Sequence, residues 1–86
     1  MDTLKVSTQS RPAAVAGAVA GTIREQGRVE MRAIGAGAVN QAVKAVALAR
    51  GYLEQEGVQV VCLPAFEQIT VDEQERTAIK LTVEKR

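Results

Sequence analysis

Alternation of apolar and polar residues predicts three strands in this chain, and residues 58–71 are predicted to form a further extended segment. Such alternation is typical of strands with one buried face. The segments are residues 4–7, 28–34 and 58–71, and a last strand in which Ile79, Leu81 and Val83 alternate with polar neighbours. Pro64 interrupts the third segment. Because proline donates no hydrogen bond to a neighbouring strand, this segment is expected to bend or to lie at a sheet edge.

Helical periodicity predicts a first helix between the first two strands. Ser10 is a good N-cap residue, and Pro12 suits the first helical turn. Apolar residues recur at four-residue spacing along one face, namely Val15, Val19 and Ile23. The helix is expected to pack through this stripe and to end near residue 26, with Gly27 in the left-handed position that follows many helices.

A second helix, predicted over residues 38–53, is apolar almost all round. Nine of the twelve residues from 38 to 49 are apolar, and the polar ones are Asn40, Gln41 and Lys44. A helix of that composition is buried on more than one side. Because a chain of 86 residues has few elements to cover it, we expect the second side to contact another copy, which predicts a homodimer.

The elements follow in the order strand, helix, strand, helix, strand, strand, which predicts an α/β fold. A chain of this length forms one domain at most, which is assigned to residues 1–86. Residues 72–76 are predicted to form the charged tip of a hairpin that joins the last two strands.

The composition offers no catalytic constellation. The chain lacks His, the usual general base and the commonest metal ligand, and its single Cys62 can form neither an internal disulfide nor a metal-binding Cys pair. Cys62 lies in an apolar run and is expected to be buried, with a reactive thiol as the alternative. We therefore expect no enzymatic activity, no metal, no cofactor and no small-molecule substrate. A lone Cys is typical of the reducing cytoplasm.

Hydropathy and charge add two expectations. The apolar run at residues 13–21 is far shorter than a membrane span, so no membrane partner is expected. The net charge of +1 creates no strong overall field, but residues 1–35 carry five basic and three acidic groups. Most of the small basic excess therefore lies in the first half of the chain.

The corner formed by Gly35, Ala36 and Gly37 is the strongest candidate for a binding site. It is similar to the start of a dinucleotide fingerprint, but Asn40 replaces the third glycine and no ribose-binding carboxylate follows. Two interpretations remain, a tight strand-to-helix turn or an anion site at a helix start, where free N–H groups attract phosphate. In the second, Asn40 and Lys44 share a helix face and add donors.

Two further basic residues are candidates for phosphate contacts. Arg11 begins the first helix, and helices that follow adjacent parallel strands start at the same sheet edge. Arg11, the glycine corner and Lys44 are therefore expected to converge, with a solvated surface arginine as the alternative. Arg76 lies at the hairpin tip among three carboxylates and can still reach a partner, although an acidic tip is typical of a turn that blocks edge pairing.

These segments resemble the bacterial stage V sporulation protein S family over essentially the whole chain. The longest matching block runs from Ala33 to Val46 and contains the glycine corner. The other matching segments are residues 4–7, 15–18, 64–66 and 75–81. That family is in turn similar to the Alba superfamily of dimeric chromatin and RNA-binding proteins.

The resemblance implies an Alba-like β-α-β-α-β-β fold, an α+β two-layer sandwich with two helices packed on one four-stranded mixed sheet. It also implies nucleic-acid contacts at Arg11, at the glycines Gly35 and Gly37, and at Arg76. The chain departs from Alba proteins in four respects. Its glycine corner has no basic side chain, Gln41 stands where a basic residue is frequent, its hairpin tip is mostly acidic, and its net charge of +1 is lower than is usual for them.

The resulting hypothesis is a small dimeric regulatory protein that binds the phosphate backbone of DNA or RNA with little sequence specificity. A sporulation or developmental role is implied by the resemblance. The predicted contact residues are Arg11, Gly35, Gly37, Asn40, Lys44 and Arg76. The alternative is a protein–protein interaction module that keeps the fold without binding nucleic acid. The expected location is the cytoplasm, including association with the nucleoid.

Overall fold

The computed structural model describes residues 3–86, and its elements follow the predicted order. The strands are β1 (Thr3–Val6), β2 (Arg28–Ala33), β3 (Val60–Val71) and β4 (Gln74–Lys85), and the helices are α1 (Pro12–Gln26) and α2 (Ala36–Glu54). The strands form one mixed sheet in the order β1-β2-β4-β3, in which β1 and β2 are parallel and the other pairs are antiparallel. The predicted α+β two-layer fold is confirmed.

The core lies between the two helices and one face of the sheet. Alternate residues of β2 and β4 point into it, and α2 contributes a stripe of small residues that ends in Leu53. The buried core residues of these elements include Val19 and Ile23, Val29 and Met31, Ala42, Ala45 and Ala49, and Leu81 and Val83. The predicted stripe of α1 is confirmed for Val19 and Ile23, whereas Val15 is only half-buried.

Pro64 lies on the edge strand β3, as predicted, and β3 continues through it without a break. The turn leaves Val71 paired with Gln74, and the closing pair of a two-residue hairpin is hydrogen-bonded. Positions that hydrogen-bond to β4 therefore recur at every second residue from Val71, which are the odd-numbered residues of β3. Pro64 lies between two of them, so its backbone N and O atoms point away from β4. Its missing N–H therefore costs no hydrogen bond with β4, and it interrupts the outer edge where a foreign strand would pair.

The start of α1 differs from the prediction. Its N-cap is Arg11, which makes no side-chain capping bond, and Ser10 is not the cap. The hydroxyl of Ser10 instead accepts a hydrogen bond from the Ser7 backbone N–H at 2.9 Å, which tightens the loop after β1. At the other end, Gly27 adopts φ 80° and donates its N–H to the Ile23 carbonyl at 2.8 Å, which confirms the predicted cap.

The glycine corner is shorter than predicted. Because α2 begins at Ala36, Gly37 lies inside the helix and Gly35 alone makes the turn, with φ 87° and ψ 156°. At the hairpin, the turn is confined to Asp72 and Glu73, both with positive φ. Arg76, predicted to be part of the tip, lies in β4 instead.

The hairpin of β3 and β4 extends beyond the rest of the sheet. Pairing of β2 with β4 ends at Ile79, whereas β3 and β4 continue to pair from Glu67 and Ala78 out to the turn. We call residues 67–78 the arm. It carries four acidic side chains and one basic one, and it contributes to the elongated shape of 43 × 22 × 17 Å.

Candidate functional site

The structure places the starts of the two helices side by side. The Gln41 side chain on α2 donates a hydrogen bond to the Ser10 carbonyl at 2.9 Å, which ties α2 to the loop before α1. A Cβ added at Gly37 would lie 2.7 Å from the Thr8 methyl group, so the missing side chain permits this contact. Arg11, Gly35 and Gly37 therefore lie at one end of the molecule, which we call the helix-start end.

The helix-start end carries uncompensated positive charge. Neither helix has a side-chain cap or an acidic residue in its first turn, so the positive ends of both helix dipoles are uncovered. Arg11 and Lys44 are exposed, and neither forms a salt bridge with another residue of the 3–86 range. Lys44 lies eight residues after Ala36, about 12 Å along the axis, with Asn40 exposed one turn before it.

Arg76 is not brought to this end. It pairs with Ile69 on the arm. Because Thr77 and Ile79 line a groove beside α2, the alternation of a strand puts Arg76 on the opposite sheet face. Glu75 precedes Arg76 in the sequence, and Asp72 and Glu73 form the nearby turn. These carboxylates offset the positive charge of Arg76.

Sequence reasoning missed an apolar surface between α2 and β3. Phe66, the only Phe of the chain, is 80% exposed, and Val43 opposite it on α2 is 52% exposed. Two adjoining cavities of about 550 and 410 Å³ share Val43. We call this surface the valley, and its apolar residues include Val39, Val43, Val46 and Ala47 of α2 and Val60, Cys62 and Phe66 of β3. The signal in the sequence was a lone aromatic two residues after an edge-strand proline.

The prediction that Cys62 is buried is wrong. Cys62 is exposed at the valley, because β3 is the edge strand and α2 does not cover it. Partial burial raises the pKa of the thiol, with no cation lowering it. The side chain is therefore a protonated thiol at neutral pH, which argues against the reactive-thiol alternative.

Two other kinds of site are absent from the described part of the chain. Within residues 3–86, no group of three or more Cys, Asp and Glu side chains is arranged to hold a metal ion. No helix in the same range is long and apolar enough to cross a membrane.

Comparison with known protein families matches residues 2–86 to the family described as Stage V sporulation protein S (SpoVS). The chain belongs to this family. The match extends over the whole chain after the first residue, so the resemblance found in the sequence is confirmed. This SpoVS family member is accordingly a sporulation-related protein.

In this SpoVS family member, two hydrogen-bonded ion pairs within residues 3–86 tie separate elements together. Arg24 of α1 contacts both carboxylate oxygens of Glu56 after α2, the shortest distance being 2.6 Å. On the sheet face away from the helices, Arg32 Nε donates to Glu67 at 2.7 Å. In each pair the hydrogen bond from the arginine lowers the pKa of the carboxyl below its ordinary value.

These lowered carboxyl pKa values predict a loss of stability in acid. The contribution of each pair is complete above the unfolded pKa of about 4.3. It declines as the pH falls from there through the folded pKa and is absent below it. The double variant Glu56→Gln/Glu67→Gln should therefore lose less stability than the wild type between pH 7 and pH 3 in urea unfolding. The matched control is Glu25→Gln, an exposed residue of α1, and equal losses in all three proteins would contradict the prediction.

Proposed function

We propose that this protein binds nucleic acid through the phosphate backbone, with little sequence specificity, as a homodimer. The observation that carries the proposal is the helix-start end, where two uncapped helix starts lie beside Arg11, with Lys44 about 12 Å further along α2. Neither cation forms a salt bridge with another residue of the 3–86 range. Backbone N–H groups and the dipole at a helix start favour phosphate oxygens. Contacts of this kind fix a protein on the backbone without reading bases, which supports low sequence specificity.

Each predicted residue has a defined part in this proposal. Arg11 would bind a phosphate in bidentate fashion, and Asn40 would donate a hydrogen bond beside it. Lys44, about 12 Å along α2, would contact a different phosphate as a point charge. Gly35 leaves the start of α2 open to close approach. The close packing of Thr8 is enough to explain why residue 37 is a glycine. Gly37 would therefore contribute to binding only indirectly, by letting the two helix starts lie close together.

Arg76 is a secondary contact in the proposal. It lies on the other sheet face and on an acidic arm, so it would touch nucleic acid only if the ligand follows the arm. Phosphate affinity scales with the number of charges neutralised. A single cation among four carboxylates adds little, and the arm as a whole repels a polyanion.

The valley supports the homodimer. An exposed Phe66 beside an exposed Val43 leaves apolar area in water that a second copy of the same surface would cover. Gly35 and Asn40 line the same cavity as Val43, so a dimer that covers it would also cover these two residues. Arg11 and Lys44 line neither cavity of the valley, and dimerisation would double their number. Because each phosphate contact adds to the affinity, a dimer offsets the small cation count of one chain.

A protein-interaction module is the second candidate, and the acidic arm favours it. Four carboxylates and one basic group on a projecting hairpin suit a basic protein surface better than a phosphate backbone. Neither candidate involves catalysis, and we propose no enzymatic activity. We also propose that the protein is cytoplasmic, a location that is compatible with either candidate function.

The proposal is tested by binding of labelled double-stranded DNA, single-stranded DNA and RNA across a salt series. The variant Arg11→Gln/Lys44→Gln should bind more weakly to every sequence. Its dependence of log affinity on log salt should be shallower by about one for each phosphate that the variant no longer neutralises. The charge-matched control Arg28→Gln/Lys85→Gln, at the other end of β2 and β4, should bind like the wild type.

Two outcomes would reject the proposal. Unchanged affinity and salt dependence in Arg11→Gln/Lys44→Gln would show that the helix-start end does not hold phosphate. A dimer that binds none of the three ligands at low salt would favour the protein-interaction module. Preference for one ligand would distinguish DNA from RNA.

A further inference from the structure

A third cavity, of about 440 Å³, lies on the sheet face opposite the helices. Met31 and Ala33 of β2 are buried against the helices, so Arg32 between them points to the other face, beside its register partner Lys5 on β1. Its lining includes Lys5, Ser7, Arg32, Ile34, Ile69 and Val71. None of them belongs to the valley.

The arm forms one wall of this cavity. β1 and β3 are at opposite edges of the sheet, yet Ile69 and Val71 of β3 line the same cavity as Lys5 and Ser7. This is the consequence of β2 ending at Ala33 while the arm continues. The twisted hairpin crosses the space beyond the carboxyl ends of β1 and β2. The cavity is therefore walled by the central sheet and by the arm.

The charged side chains that line this cavity are both basic, and one of them is paired with a carboxylate outside it. Of its lining residues within the described range, the charged ones are Lys5 and Arg32. Glu67 holds the Arg32 guanidinium through Nε at 2.7 Å, while the two terminal nitrogens have no hydrogen-bond partner within residues 3–86. Lys5 forms no salt bridge in that range. A guanidinium fixed on one side presents its remaining donors to a carboxylate or phosphate as a fork.

The rest of the cavity is apolar. Ile34, Ile69 and Val71 provide aliphatic surface next to the two cations, and Val71 is 38% exposed. Ligand sites are typically cavities of about 300–1,000 Å³ with apolar walls and a few placed polar groups, a range that includes this one. A phosphate of a long nucleic-acid backbone would leave these aliphatic walls uncovered, whereas a small molecule with an apolar body would cover them.

We propose that this cavity binds a small amphipathic anion, a molecule with one carboxylate or phosphate group on a short apolar body. The anionic group contacts Arg32 and Lys5, and the body packs between Ile34 and the arm. The cavity adjoins the helix-start end, because Ser7 lies in the loop before α1 and Ile34 directly precedes Gly35. The proposal itself does not rest on nucleic-acid binding there. Its ligand links the arm to the carboxyl ends of β1 and β2.

The test uses octyl phosphate below its micelle concentration, titrated into the full-length protein and followed by amide NMR shifts. Saturable shifts are expected at residues 5–7, 32–34 and 69–71. Inorganic phosphate and octyltrimethylammonium, which each lack one half of the proposed chemistry, should bind at least about tenfold more weakly. Arg32→Lys keeps the charge but removes the fork, and it should weaken octyl phosphate binding by about tenfold. The matched control is Arg28→Lys, because Arg28 lies on the same strand and face but outside the cavity. It should bind octyl phosphate as the wild type does.

A second variant keeps the test decisive if Arg32→Lys disturbs the fold. Val71→Glu places a carboxylate in the arm wall without touching Arg32 and should also weaken binding of the anion. Equal binding by wild type, Arg32→Lys and Val71→Glu, or saturable shifts confined to the valley, would overturn the proposal. Flotation with phosphatidylglycerol vesicles that depends on Arg32 would assign the anion to a lipid headgroup. Octyl phosphate binding without flotation would assign it to a free metabolite.

Discussion

Replacing Val43 by Asp is expected to convert the proposed dimer to a monomer. Val43 is shared by both cavities of the valley and is half-exposed in the single chain. In one chain, the new carboxylate stays in water and costs little. At a two-fold interface, two carboxylates would be buried without partners, each at a cost of several kcal/mol. The dimer dissociation constant should rise at least about 100-fold, which corresponds to about 2.8 kcal/mol.

Sedimentation equilibrium measures this change directly, and the single thiol gives a second readout. Cys62 lines the valley, so a dimer should protect it from a thiol reagent and Val43→Asp should expose it. Leu48→Asp is the matched control, because Leu48 is an exposed apolar residue of the same helix that does not line the valley. If Val43→Asp remains dimeric while Leu48→Asp dissociates, the interface lies on the other flank of α2.

The sequence was a good guide to the fold because local rules and burial agree along most of the chain. Alternation in β2 and β4 reports directly which residues face the helices, since a strand has only two faces. Gly27 ends α1 as expected, because few residues other than glycine adopt the left-handed conformation that often follows a helix. The errors lie at element ends, where Ser10 bonds within its own loop rather than capping α1. At the end of an element, a single side-chain hydrogen bond can move the first or last residue of the helix by one position.

The candidate site was only partly predictable, for reasons of tertiary geometry. Adjacent parallel strands place the two helix starts at one end, which the order of elements implies. The exposure of Phe66 and Cys62 depends instead on how far α2 reaches across the sheet, and no local pattern reports that distance. The same holds for Arg76, whose face and surroundings depend on where β2 ends and the arm begins. A sequence pattern predicts that apolar residues of an edge strand are buried only if the helices are assumed to cover the whole sheet. In this fold α2 leaves part of β3 uncovered.

Replacing Gly35 by Ala should destabilise the protein by about 1–3 kcal/mol, because φ 87° and ψ 156° lie in a region open essentially only to glycine. Steric crowding is not the cause, since nothing lies within 4 Å of an added Cβ there. Gly17→Ala is the matched control: it adds the same methyl group, again into open space, but within α1. That change should stabilise the protein by about 0.8–1 kcal/mol, the difference in helix propensity between Gly and Ala. Urea midpoints at one fixed protein concentration separate the two effects from dimerisation. Equal shifts of the same sign would show that backbone strain at Gly35 does not shape the start of α2.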